Sequence, residues 1–64
     1  MGLEEVTAGA VLSQSDIIEY GLEPELRIGN DLGMYKKNRT RLFLEEKGGK
    51  YYVAVVYELP KLGL

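Results

Sequence analysis

The chain has 64 residues, of which 45% are hydrophobic, and its eight basic and ten acidic side chains leave a net charge of −2. It contains no cysteine and no histidine, which excludes disulfides and thiolate chemistry and removes the commonest general base and metal ligand. Because a chain of this length buries only about 60% of its unfolded surface, oligomerisation is a natural source of stability. We predict a single domain over residues 1–64 that is not an enzyme, needs no cofactor or metal, and forms a homodimer.

Membrane association is not expected from the sequence. No hydrophobic run approaches the ~20 residues of a membrane-spanning helix. The first residues, MGLEEVTAG, are acidic and lack the basic and apolar regions of a signal peptide. The expected location is the cytoplasm.

The N-terminal third contains one clear helix signal. Residues 2–12 fit a helix and a strand equally well, because their apolar residues satisfy both periodicities. Ser13 and Asp16 form a variant of the capping box, Ser15 is a second possible N-cap, and Gly21 is placed to end the helix. We predict a helix over residues 13–20, followed by a hydrophobic contact from Leu22.

The middle of the chain leaves two alternatives open. Pro24 can open a second short helix, since its missing N–H costs nothing at the first helical position. The other interpretation is a short strand over residues 26–28 that ends at Gly29 and Asn30. Residues 31–33 are typical of a turn.

The C-terminal third has the pattern of a β-hairpin. Two apolar runs flank Gly48 and Gly49, which can both adopt the positive φ of a type I′ turn. The turn sets the register, so that Leu44 faces Val53, Phe43 faces Ala54, and every later pair follows in step. Arg39 then faces Glu58 as an ion pair. Pro60 ends the ladder, and residues 61–64 are expected to form a short tail.

Strict alternation divides the hairpin into two predicted faces. The face expected to pack on the core is almost wholly apolar and comprises Thr40, Leu42, Leu44, Tyr51, Val53, Val55, Tyr57 and Leu59. The opposite face mixes charged and aromatic residues and comprises Arg39, Arg41, Phe43, Glu45, Tyr52, Ala54, Val56 and Glu58. A lone hairpin is marginal in water, so its apolar face needs a cover. The predicted fold is a small α+β domain, in which an antiparallel hairpin, either alone or extended to a sheet of three or four strands, is covered by one or two short helices.

Two functional hypotheses follow from these patterns. The first is a small DNA- or RNA-binding regulatory module, because cations and aromatic rings on a sheet can bind phosphates and stack on bases. The expected nucleic-acid-binding residues are Lys36, Lys37, Arg39, Arg41, Phe43 and Tyr52. Binding could use the sheet face or a winged-helix-like arrangement in which a helix from Glu25 enters the groove. The alternative hypothesis is a protein-interaction or self-assembling dimeric module that uses the mixed face or an exposed strand edge.

One segment resembles part of a known family. Tyr20-Gly21-Leu22-Glu23-Pro24 is similar to the Leu-Gly-Leu-x-Pro helix exit of the AbrB-type DNA-binding proteins. The chain lacks that family's proline at the helix start and its Gly-Asp after the later proline, so the resemblance does not assign it to the family.

Overall fold

A computed structural model describes residues 2–60, so the predicted tail at 61–64 lies outside the described residues. The elements in chain order are a 3₁₀ helix at Leu3–Glu5, β1 (Val11–Leu12), α1 (Gln14–Tyr20), β2 (Glu23–Arg27), β3 (Leu32–Lys37), β4 (Thr40–Lys47) and β5 (Lys50–Glu58). The five strands form one antiparallel sheet in the order β1-β5-β4-β3-β2.

The predicted fold, a hairpin covered by one or two short helices, is wrong. The described residues form mainly a five-stranded antiparallel sheet with one short α-helix of seven residues. The second helix expected from Pro24 is strand β2, and the turn expected at residues 31–33 gives way to β3 from Leu32. Pro24 is tolerated there because β2 is an edge strand, on which a missing N–H need not break a ladder bond. The recognition helix of the winged-helix-like arrangement is therefore a strand.

Helix α1 begins and ends where the sequence predicts. The Ser13 hydroxyl accepts a hydrogen bond from the Asp16 N–H at 3.1 Å, and the Asp16 carboxylate accepts one from the Ser13 N–H at 2.9 Å. Gly21 ends the helix with φ of 71°, a left-handed conformation that favours glycine. The Leu22 N–H donates to the Ile17 carbonyl, and both side chains are buried. The predicted capping box and C-terminal glycine are confirmed, and Leu22 joins the same core cluster as Ile17.

Residues 2–10 cover the sheet mostly as irregular backbone rather than as a regular helix or strand. Val6 is buried and Leu3 packs beside the core. The Gly9 N–H donates to the Val53 carbonyl at 2.8 Å, and the Val53 N–H donates to the Ala10 carbonyl at 2.9 Å. These bonds lead the chain into β1, which pairs with the first part of β5.

The hairpin of β4 and β5 follows the predicted register only near its turn. Gly48 and Gly49 have φ of 59° and 78°, and Leu44 faces Val53 as expected. A β-bulge then follows, so that Phe43 faces Val55 and not Ala54. A bulge places an extra residue on one strand, and this reverses the two sides of β5 beyond it relative to strict alternation.

The hydrophobic core lies on one face of the sheet, here called the inner face. It is built from seven buried residues: Val6, Leu12, Ile17, Leu22, Leu42, Leu44 and Val53. Val56 packs at its margin, although strict alternation had assigned Val56 to the other face. Val55 and Tyr57, which were expected to pack on the core, are 47% and 41% exposed. The bulge is the physical reason for this exchange.

Candidate functional site on the outer face of the sheet

The face opposite the core, here called the outer face, carries an apolar row that crosses four strands. Leu26 on β2 faces Met34 on β3, Met34 faces Phe43 on β4, and Phe43 faces Val55 on β5. Residues that face each other in an antiparallel sheet point to the same side, so these four form one continuous strip, the outer row. Leu26 is 58% exposed, Val55 is 47% exposed, and Met34 and Phe43 are half-buried.

Aromatic side chains extend the outer row on both sides. The rings of Phe43 and Tyr57 lie 6.3 Å apart at an angle of 31°. The Tyr57 hydroxyl lies 3.9 Å from the Met34 sulfur. Tyr52, which faces Val11 on β1, remains 39% exposed on the same face. The described residues provide no second layer over this apolar surface.

Arg41 borders the outer row but is occupied by its own chain. Its Nε lies 3.1 Å from Glu25 Oε1, the only ion pair within residues 2–60. Its guanidinium also donates to the backbone carbonyls of Asn38 and Thr40, at 2.8 and 3.1 Å. The Arg41 side chain is only 14% exposed. Breaking these contacts would be the cost of turning Arg41 towards a phosphate.

The other expected basic residues lie near Arg41 but point in different directions. Lys36 faces Arg41 and Lys37 faces Thr40, so the two lysines lie on opposite sides of β3. The Lys37 side chain reaches Gly21. Its Nζ lies 3.1 Å from the position that a Cβ would occupy if residue 21 were not glycine. That position is the carboxyl end of α1, which favours a cation through its exposed carbonyls. Arg39 is exposed in the β3–β4 turn beside Asn38, whose φ is 56°.

An open polar cleft of about 320 Å³ brings three of these cations together. It is lined by Gly21, Glu23, Lys36, Lys37, Asn38 and Arg41. Glu23 also lines the cleft, and its carboxylate weakens the attraction of the three cations for an anion. Phe43 lies on the outer row away from this lining, and Tyr52 lies further along the sheet beside Glu45. The six predicted residues are thus spread over a cleft, a turn and an apolar face.

Sequence reasoning missed four members of the outer surface: Leu26, Met34, Val55 and Tyr57. Leu26 and Met34 were not expected on this face because β2 and β3 were not recognised as its neighbouring strands. Val55 and Tyr57 were placed on the wrong side because no residue in YYVAVVYE marks the bulge. The predicted Arg39–Glu58 pair is also wrong, because the same shift places Thr40 opposite Glu58.

One titratable group in the described part of the chain has a clearly shifted pKa. Burial raises the pKa of the Tyr35 phenol above 10.0, and the nearby Tyr51 and Glu46 raise it further, while Arg27 acts in the opposite sense. Tyr35 faces Leu42 on the inner face, and its ring meets that of Tyr51 edge-on at 6.2 Å. The shift therefore reflects packing on the covered side of the sheet.

Within residues 2–60, no group of three or more carboxylates could hold a metal ion, and no helix is long and apolar enough to cross a membrane. No protein-family model, curated protein or solved structure matches the chain.

Proposed function

We propose that this protein is a self-associating interaction module, in which the outer face of the sheet packs against the outer face of a second copy. The observation that supports this most directly is the outer row of Leu26, Met34, Phe43 and Val55, which crosses four strands without a covering layer in the described residues. Contiguous apolar patches of this kind on a small soluble protein are typical of interaction sites.

The distribution of the core explains why a second copy is a suitable occupant. All seven hydrophobic residues that are buried within residues 2–60 belong to the inner layer, so the core of the described part of the chain lies on one face. When two sheets pack face to face about 10 Å apart, the two surfaces that meet are buried and form a sandwich core. A chain of this length buries only a small core. Stacking two outer faces would therefore add a second core that the two copies share.

The charges that border the outer row do not oppose this packing. Arg41 and Glu25 neutralise each other within one chain at 3.1 Å. Of the other charged residues next to the row, Lys36 and Glu23 face each other with opposite signs, and Glu45 carries the remaining negative charge. Each outer face thus has a single uncompensated charge at its border, so like-charge repulsion between two copies is small.

A pair of matched variants tests this proposal by sedimentation velocity. Leu26 and Ile18 are both largely exposed, at 58% and 74%, but Leu26 lies on the outer row and Ile18 on α1. At the same concentration, we expect Leu26→Lys to stay folded and to sediment as a smaller species than the wild type and Ile18→Lys, because it lacks the outer-face contact. Circular dichroism checks that all three proteins have the same secondary structure. A wild-type monomer at every concentration, or equal dimerisation of the two variants, would overturn the proposal.

A second candidate function is the binding of single-stranded nucleic acid on the same face. It is favoured by the nearby rings of Phe43 and Tyr57, with Lys36 on the same side of the sheet. Stacking of bases on aromatic rings and neutralisation of phosphates are the usual sources of such affinity.

The test of this second candidate is an anisotropy titration of a fluorescent single strand at two salt concentrations. Lys36→Ala is the appropriate variant, because Arg41 also has structural partners in its own chain, and Lys37→Ala on the opposite side of β3 is its matched control. We expect Lys36→Ala to weaken binding and to reduce the salt slope by about 1. Binding that is absent in the wild type, or reduced equally by the two variants, would remove this candidate.

A further inference from the structure

The free edge of β5 is a second and separate contact surface. Strand β1 pairs only with Tyr51 and Tyr52, and two backbone bonds from Gly9 and Ala10 reach Val53. From Ala54 to Glu58, no strand of the described residues pairs with β5 on the side away from β4. Unpaired backbone groups on an edge strand are a template for another strand.

The opposite edge of the sheet is protected in ways that β5 is not. Strand β2 contains Pro24, which lacks an N–H, and an irregular register at Glu25. Its charged side chains are Glu23, Glu25 and Arg27. These features are the usual means of blocking edge-to-edge pairing. Beyond the bulge, residues 55–58 of β5 are in regular register with β4, contain no proline and carry one charge.

The hydrogen bonds of β5 identify which backbone groups are free. The Leu59 N–H donates to the Arg39 carbonyl on the β4 side, at 2.8 Å. Because backbone groups of an antiparallel strand point alternately to its two sides, those of Glu58 and Val56 point to the free edge. An incoming antiparallel strand would therefore bond to Val56 and Glu58.

We infer that this edge pairs with β5 of a second copy in antiparallel register, with a two-fold axis at Val56. This register places Val56 opposite Val56, and Val55 opposite Tyr57 on the outer face. A β-branched residue opposite an aromatic residue is a favourable cross-strand pair. Glu58 lies level with the bulged Ala54, so no charge faces a like charge. A register centred one residue later would place Glu58 opposite Val56 instead.

The inner side of the same edge has space for the second copy's valine. An open cleft of about 210 Å³ borders Val56, lined by Leu3, Glu4, Val6, Thr40, Val56, Tyr57 and Glu58. Leu3, Val6 and Val56 make one side of this cleft apolar. A valine from the second copy at this position would pack beside the margin of the core. A two-fold perpendicular to the sheet also keeps both outer faces on the same side, so the two outer rows become one surface.

Single cysteines test the register, because the chain contains none of its own. Two residues on the axis of a hydrogen-bonded pair have Cα atoms about 5.5 Å apart, within disulfide range. Two Glu58 residues would be offset by roughly 13 Å along the strands. Under mild oxidation, we expect Val56→Cys to form a covalent dimer at least about tenfold faster than Glu58→Cys. Equal rates, or no dimer from Val56→Cys, would overturn the inference.

Two further measurements separate this contact from the outer-face contact and from misfolding. The Leu26→Lys change lies on β2, at the other edge of the sheet, so Val56→Cys should crosslink equally well in that background. If crosslinking is lost there, the edge is not an independent contact. In the wild-type protein, the N–H groups of Val56 and Glu58 should exchange with solvent more slowly as concentration rises. Exchange independent of concentration would contradict edge pairing whether or not the cysteine variants fold.

Discussion

The two faces of the sheet differ in what covers them, although β4 contributes alternate residues to both. Leu42 and Leu44 point to the inner face and are 0% and 1% exposed, under residues 2–22. Phe43, between them in sequence, points to the outer face and is only half-buried. The same strand thus contributes fully buried side chains to the core on one side and partly exposed side chains to an uncovered surface on the other. This contrast assigns stability to the inner face, and it is the basis on which we propose the outer face as the interaction surface.

The largest expected effect is on the inner face. Leu42→Ala removes a side chain with no solvent exposure and should cost about 2 to 5 kcal/mol of unfolding free energy, through lost burial and the cavity it leaves. Phe43→Ala is the matched change on the outer face and should cost less in dilute solution. Urea unfolding of both variants measures the difference. Equal losses would mean that the outer face is as fully packed as the inner one.

A smaller effect is expected in the layer that covers the inner face. The Ser13 hydroxyl accepts the Asp16 N–H at the start of α1, so Ser13→Ala should cost about 1 kcal/mol. Ser15 lies within α1 and makes no capping bond among the described contacts, so Ser15→Ala should change stability by less than about 0.5 kcal/mol. Thermal or urea unfolding compares the two. A larger loss from Ser15→Ala than from Ser13→Ala would contradict the assignment of Ser13 as the N-cap.

The smallest effect appears only at alkaline pH. Burial, together with Tyr51 and Glu46, raises the pKa of the Tyr35 phenol in the folded chain. As the pH rises above about 10, the unfolded chain loses this proton first, so stability falls from that pH upwards. Below that pH, the Tyr35 phenol keeps its proton in both the folded and the unfolded chain, and stability is not reduced. As the pH is raised from 9, the free energy of unfolding should fall less in Tyr35→Phe than in the wild type, as measured by urea unfolding. Identical pH profiles would show that Tyr35 is not responsible.

Local signals predicted the elements that depend on neighbouring residues. The Ser13–Asp16 capping box, the left-handed Gly21 and the Gly48-Gly49 turn all involve contacts within a few residues. Their chemistry is readable from sequence because it does not depend on the rest of the fold.

Elements that depend on the whole sheet could not be predicted in the same way. Strand β2 contains Pro24 and charged residues, and it becomes a strand only because β3 is available to pair with it. The bulge opposite Phe43 is not marked by any residue type, yet it exchanges Val56 with Val55 and Tyr57 between the faces. The candidate surface was therefore only partly predicted: Phe43 and Tyr52 were expected there, whereas Tyr57 was not.

The most direct test of the central claim is a heteronuclear NMR spectrum of the wild-type protein at low and high concentration. We predict that signals of Leu26, Met34, Phe43 and Tyr57 shift or broaden as concentration rises, while those of Leu42, Leu44 and Ile17 do not. This result would show that the outer face is the surface at which copies meet. Spectra that are unchanged with concentration, or changes centred on α1, would contradict the account.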